Sequence, residues 1–327
     1  MKIGKLPEQV LIRSILKQVN HRRDEVLVGP AVGQDCTAFA VAEDEAVVMS
    51  VDPITGTTKD IGPLAVYITT NDLAAAGAEP IGIMLTVLLP ERVREIAVRR
   101  MMTDIEAICE KLQIEVLGGH TEVTNVVNQP LISVTGVGKM KKNQVNCLQD
   151  IRPNQDLVVT KWIGLEATTI IAKEKEKELS ARFAPGLIET AKGFDQYLSV
   201  IPESKIGMEH GICAMHDITE GGVFGALWEM ASGADLGLEV DLRKIPIRQE
   251  TVEVCEFFGV NPYQIMSSGS MLIATDDGAG LVAKLEAAGI HGTVIGRTND
   301  SNDRIIRNGE EIRFLDKPQP DELYKVV

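Results

Sequence analysis

Aromatic side chains are scarce in this chain, at 4% of its 327 residues. Its core must therefore be filled by aliphatic side chains. Patterned cysteine is also missing. The five cysteines, Cys36, Cys109, Cys147, Cys213 and Cys255, are scattered and form no Cys-x-x-Cys. An odd, unpatterned set argues against a zinc cage or a disulfide framework and fits a reducing compartment, so a cytoplasmic protein is expected. Long apolar runs are absent too. The longest, Ile81 to Leu89, falls well short of the roughly 20 residues that span a bilayer, and the amphipathic stretch from Met1 to Leu16 has no apolar signal core. Positive charge is in deficit: 33 Lys and Arg face 47 Asp and Glu, a net charge of −14. Such a chain repels nucleic-acid backbone and anionic lipid, and neither is expected as a partner. Finally, there is no Gly-x-x-x-x-Gly-Lys-Ser/Thr and no Gly-x-Gly-x-x-Gly, so the two commonest nucleotide-binding motifs are excluded.

What is present is an alternation of strand and helix patterns long enough for two domains. Pro7-Glu8 opens a helix that continues through Ile12, Ile15, Leu16 and Val19. Ala46 to Val51 reads as a strand, Pro63 to Gly77 as a helix rich in small residues, and Ile81 to Leu88 as a buried strand. Glu91 to Leu112 is a long helix. Ile114 to Leu117 is a strand running into a Gly118-Gly119 turn, and Leu131 to Val137 is another strand. The stretch from Lys139 to Asn154 lacks apolar periodicity and marks the boundary between a domain over 1–150 and one over 151–327. The second half repeats the alternation, with strands at Leu157–Thr160, Ile212–Met215, Leu236–Val240 and Met271–Ala274. Helices are expected at Leu165–Ala172, Leu187–Val200, Glu220–Ser232, Thr251–Phe258 and Gly278–Ala288. The fold class is α/β, or layered α+β.

Four acids stand at strand ends or glycine-rich breaks. Asp35 follows Gly33, Asp52 ends a β run, Asp72 lies in Thr69-Thr70-Asn71-Asp72, and Glu122 follows Gly118-Gly119-His120-Thr121. A single Asp after Gly is usually a turn residue; the recurrence is the signal. Two converging carboxylates about 4 Å apart repel by roughly 4 kcal/mol at an effective dielectric near 20. Hard oxygen ligands select magnesium or manganese, with phosphate completing the shell. Gly118 and Gly119 could offer backbone amides to phosphate oxygens, although a plain turn is the better account of a Gly-Gly taken alone.

In the second half, His216-Asp217-Ile218-Thr219-Glu220-Gly221-Gly222 crowds one strand end. Thr219 is expected to cap the following helix, with Glu220 in its first turn. Ser267-Ser268-Gly269-Ser270 is a second small, polar turn.

Taken together these stretches resemble the superfamily of aminoimidazole ribonucleotide synthetase, thiamine-monophosphate kinase, selenophosphate synthetase and the hydrogenase-maturation factor HypE. The matching segments are Val32-Gly33-Gln34-Asp35, Val51-Asp52-Pro53-Ile54, Thr70-Asn71-Asp72-Leu73, Gly118-Gly119-His120-Thr121-Glu122, Thr160-Lys161, Leu165-Glu166-Ala167-Thr168 and the two turns of the second half. They run in the family's order, and the second-half stretches look closest to HypE. The resemblance implies an N-terminal ferredoxin-like domain that pairs with a second copy into a dimer barrel, followed by an α/β domain. It implies ATP, with magnesium bridging the phosphates to Asp35, Asp52 and Asp72, and Glu122 as a further metal ligand. Asn71, Gly118, Gly119 and Thr121 would line the nucleotide cleft, and Gly221 and Gly222 would face the phosphates or substrate. Asp72, Glu220 and His216 are the candidate catalytic side chains.

Three departures from the family pattern matter: Gln34 stands where an acid is usual, His120 follows the double glycine, and no cysteine lies beyond Cys255. A HypE-type reaction on a C-terminal cysteine of this chain is therefore not expected. The expected function is an ATP- and magnesium-dependent HypE-like enzyme that activates an amide-type oxygen or transfers phosphate to a small-molecule or protein carboxamide acceptor, as a homodimer with a possible maturation-complex partner. A small-molecule kinase and a non-catalytic ATP-binding scaffold are the alternatives.

Overall fold

The computed structural model describes residues 1–34, 36–54, 59–145 and 147–327. Its strands are β1 Gly4–Lys5, β2 Val26–Val28, β3 Ala38–Phe39, β4 Glu45–Ile54, β5 Glu79–Pro90, β6 Glu115–Thr124, β7 Leu131–Lys141, β8 Asp156–Thr160, β9 Ala214–Asp217, β10 Gly237–Asp241, β11 Met271–Thr275, β12 Gly292–Asn299, β13 Arg304–Asn308 and β14 Glu311–Phe314. Its helices are α1 Glu8–Ser14, α2 Ile61–Ala75, α3 Glu95–Leu112, α4 Leu165–Glu174, α5 Glu176–Leu179, α6 Pro185–Lys192, α7 Ile201–His210, α8 Gly222–Ala234, α9 Gln249–Phe258 and α10 Gly278–Ala287. Two compact units result. The first comprises Met1–Leu73 and Ala78–Gln144, and the second Ala74–Gly77 and Val145–Val327. The break after Gln144 falls a little before the expected boundary.

The first unit is a five-stranded sheet in the order β1-β6-β5-β7-β4. β5 is central because its Ile81, Ile83, Leu85, Val87 and Leu89 are almost wholly buried, and a near-continuous apolar run is what a strand flanked on both sides needs. On α3, Val98, Met102, Ile105 and Cys109 recur at helical spacing and face the core. Each such burial contributes about 1.5–3 kcal/mol. The two-layer α/β form agrees with expectation. The connectivity β4-α2-β5-α3-β6-β7 is β-α-β-α-β-β, however, rather than the β-α-β-β-α-β of a ferredoxin-like unit. The sheet is open, with β1 and β4 at its edges.

The second unit is a seven-stranded sheet in the order β14-β13-β10-β12-β8-β11-β9. Strand alternation splits its apolar residues between two faces. Leu157 and Val159 of β8 and Leu272 and Ala274 of β11 join Phe224, Leu227 and Met230 of α8. Val158, Met271 and Ile273 instead meet Leu281 and Leu285 of α10. The expected helix over Leu187–Val200 is in fact α6, a 3-10 turn at Gly193–Tyr197, and then α7 from Ile201. Pro202 in the first turn of α7 starts a new helix there.

Gly118-Gly119 is not a turn. Both residues lie inside β6, after a register shift against β5 between Ile83 and Met84. Gly119 has φ +148, and a Cβ there would stand 2.0 Å from the Leu85 carbonyl oxygen. Gly119→Ala is therefore expected to destabilise the fold by at least about 2 kcal/mol. The control, Gly186→Ala on α6, has open space around its Cβ and should be neutral or stabilising by up to about 1 kcal/mol. Equal denaturation midpoints for Gly119→Ala and wild type would contradict this reading of β6.

Candidate functional site

Period-2 alternation along β4 puts Ser50 and Asp52 on the same side of the sheet, the side that α2 covers. Their β7 neighbours are Gly136 and Val134. On α2, Thr69 and Asp72 are three residues apart and share a face. Gly136 lets the two elements approach closely, since a Cβ at this position would lie 2.5 Å from Thr69 Cγ2. Thr69 Oγ1 consequently donates to Asp52 Oδ2 at 3.1 Å. Ser50 Oγ lies 3.3 Å from Asp52 Oδ2 and also hydrogen-bonds Asp72 Oδ2. The two carboxylates thus converge on a single hydroxyl. Asn71, next to Asp72, is buried.

The other two acids expected here do not join this pair. Asp35 lies outside the described residues. Glu122 is on the opposite face of the sheet. Asp52, Val134, Leu85 and Gly119 form one cross-strand row, and Glu122 is three residues beyond Gly119, so it points the other way. There its Oε2 lies 3.2 Å from His120 Nε2. Glu122 as a ligand of the Asp52–Asp72 site is thereby corrected. Among the described residues no group of three metal-ligating side chains is assembled. Two carboxylates that leave the remaining positions to phosphate and water are the usual donor set for magnesium, so the pair fits that ion.

A cavity of about 100 Å³ lies against the same sheet, lined by Gln34, Thr37, Leu85, Gly118, Gly119 and Thr121 among others. β1 pairs with β6 only at Glu122 and Val123. The edge of β6 over Gly118–Thr121 therefore has no strand neighbour among the described residues, and its backbone borders the cavity. Gln34 turns its amide nitrogen to the Cys36 carbonyl at 2.9 Å.

In the second unit, His216 and Asp217 end β9. His216 Nε2 lies 3.0 Å from Glu229 Oε2, and Nδ1 lies 3.8 Å from Asp217 Oδ1. Burial would lower the imidazole pKa, but the Asp217 and Glu229 carboxylates outweigh it and push the value up to about 10. At neutral pH His216 is a cation held by two carboxylates, suited to orient charge and not to accept a proton. The expected Thr219 cap is not formed. The residue at the start of α8 is Gly221, in the left-handed region with φ 81. Its N–H donates to Asp321 Oδ2 at 2.7 Å. Gly222, at φ +61, is obligatory because a Cβ would stand 2.7 Å from the Tyr263 carbonyl oxygen. Glu220 is exposed.

Sequence reasoning missed Asp321, which lies in a C-terminal segment without periodicity and is almost fully buried. It gave Glu166 no role of its own. Glu166 is 3% exposed on α4. Burial pushes its carboxyl up to about 7; hydrogen bonding at Ser268 opposes this, while Asp321 and Asp217 add to it. Below the unfolded-state value of 4.5 both states carry the proton and no penalty applies. Between there and about 7 the unfolded chain gives up its proton first, so stability is lost as pH rises. Glu166→Gln should remove that loss. Its stability relative to wild type is expected to improve by roughly 3 kcal/mol between pH 4 and pH 8, read from urea unfolding at both values. A pH-independent difference would contradict it.

The family model described as "AIR synthase related protein, N-terminal domain" matches residues 33–140. Its counterpart "AIR synthase related protein, C-terminal domain" matches residues 152–307. A Methanocaldococcus jannaschii protein named for hydrogenase expression and formation is 26% identical over 278 residues, covering 83% of this chain and 80% of its own. Carbamoyl dehydratase HypE of Rhodobacter capsulatus is 26% identical over 279 residues, covering 83% and 78%. A crystal structure of the hydrogenase maturation protein HypE in complex with ATP superposes with a TM-score of 0.82 at 18% identity, covering 99% of this chain and 97% of that one. With both family models matched in order along most of its length, the chain belongs to the AIR synthase-related family and carries that family's two-domain fold.

Proposed function

We propose that this chain is an ATP-dependent, magnesium-dependent enzyme of the HypE type, acting on a carboxamide-like acceptor outside its own described cysteines. The observation that carries this reading is the convergence of Asp52 and Asp72 on Ser50. Relatives named carbamoyl dehydratase support the reaction class, and a related structure titled as an ATP complex supports the nucleotide. Magnesium, when bound, would neutralise phosphate charge and complete its shell with phosphate and water oxygens. Asp52 and Asp72 would hold it. Gly118, Gly119 and Thr121 would admit the nucleotide along the uncovered edge of β6, and Asn71 of α2 would line its path. Within the second unit, Gly221 and Gly222 at the start of α8 would face the acceptor, and exposed Glu220 would orient its nitrogen or oxygen. His216 would supply a fixed positive charge. Cys255 is an unsuitable acceptor: it is buried, and burial pushes its thiol up to about 12.

A homodimer belongs to the same proposal. On the face of β4 away from Ser50 and Asp52, Val47, Met49 and Val51 are 44%, 62% and 62% exposed. Beside them on β7 stand Thr135 opposite Val51 and Ser133 opposite Pro53, with Lys139 opposite Val47. A second copy laid on this face would shield it. Among the described residues no helix is long and apolar enough to cross a membrane, and all the described cysteines are free. The latter supports a reducing, cytoplasmic setting.

Two measurements test these readings. Magnesium-dependent ADP release in Asp52→Asn and Asp72→Asn should each fall by more than the roughly 10–100-fold that outer-shell partners of a metal are worth. Rates equal to wild type would remove the case for these ligands. In light scattering, Met49→Asp should convert a dimer into monomers without lowering the unfolding midpoint of each unit, and a variant of unchanged mass would refute the interface.

A further inference from the structure

Ser50 is the residue whose side chain meets both carboxylates of the candidate cation pair. No motif singled it out. We propose that Ser50, backed by Thr69, is a positioning residue that sets the separation of the Asp52 and Asp72 carboxylates and so gives the site its preference for a small divalent cation over a larger one. This deepens the magnesium reading above and depends on it.

A hydroxyl carries one proton and donates to one acceptor at a time. Asp52 Oδ2 has its own donor, Thr69 Oγ1 at 3.1 Å, which leaves the Ser50 proton for Asp72 Oδ2, its nearer contact. Each carboxylate then has a hydroxyl donor, and Ser50 Oγ sits against both. The arrangement is anchored in the backbone. Ser50 and Asp52 are alternate residues of β4, paired with Gly136 and Val134, while Thr69 is fully buried on α2. Without the Ser50 hydroxyl, the contact that both carboxylates share is lost and their mutual repulsion favours a wider separation.

Separation matters because the two common hard cations differ in what they accept. Magnesium holds six oxygens at about 2.0–2.1 Å, which puts adjacent ligand oxygens about 2.9 Å apart, and it tolerates little departure. Calcium takes six to eight oxygens at about 2.3–2.6 Å in flexible geometry. Two carboxylate oxygens drawn toward one hydroxyl suit the first ion. A pair released from it can still follow the second.

The test titrates magnesium chloride and calcium chloride calorimetrically into the full chain, with a non-hydrolysable ATP analogue present throughout. Wild type, Ser50→Ala, Ser50→Thr and Asp52→Asn are compared, and unfolding midpoints check that each variant folds. Ser50→Ala is expected to weaken magnesium by about 10–100-fold and calcium by a distinctly smaller factor. Ser50→Thr, which keeps the hydroxyl, should restore the wild-type preference. Asp52→Asn should lose magnesium altogether. If Asp52→Asn binds magnesium like wild type, the cation reading itself fails and the role of Ser50 falls with it. If Asp52→Asn loses magnesium but Ser50→Ala keeps the wild-type ratio of the two affinities, the cation site stands and the proposal for Ser50 is overturned.

Discussion

Two negative charges pulled toward one neutral hydroxyl are the constraint on which the first unit turns. Asp52 comes from an edge strand and Asp72 from the helix above it, and both are held at Ser50. Like charges so placed cost free energy unless protons, donors or a cation offset them. The surrounding structure tolerates that cost because the pieces are fixed by other forces. β4 is registered over ten residue pairs on β7. α2 is pressed to the sheet by Ala65, Val66 and Leu73, all buried, and can approach because Gly136 has no side chain. Apolar packing thus places the two acids together.

The second unit solves a related problem differently. Its acids, Glu166, Asp217 and Asp321, are buried. Glu166 is shifted toward the neutral form, and Asp321 is stabilised by N–H groups of Gly221 and Leu323. Asp217 is close to His216, whose imidazolium two carboxylates hold. Neutralisation by proton, by backbone donor and by histidine replaces the cation inferred for the first unit.

The alternation of strands and helices was legible in the sequence because local periodicity carries it. The 3.6-residue pattern of Val98, Met102, Ile105 and Cys109 on α3 and the apolar run of β5 are local facts. The convergence of Asp52 and Asp72 was anticipated from four acids recurring at strand ends and glycine-rich breaks, and the family resemblance supplied their order. What was not legible is non-local. Gly119 reads as a turn until the Leu85 carbonyl is seen where its Cβ would be. Glu122 reads as a partner of Asp52 until strand register sends it to the other face. Ser50 and Thr69 look like ordinary polar residues, because their value comes from what stands opposite them. Asp321 and the buried Leu323 lie in a segment too short to show a period.

In the proposed site a divalent cation joins the Asp52–Asp72 pair to a nucleotide. Crystals soaked with manganese chloride and a non-hydrolysable ATP analogue test it directly through anomalous scattering. A manganese peak within about 2.5 Å of an oxygen of each carboxylate, and touching the terminal phosphates, is the predicted result. Nucleotide and manganese bound together elsewhere, with neither carboxylate touching the metal, would contradict it.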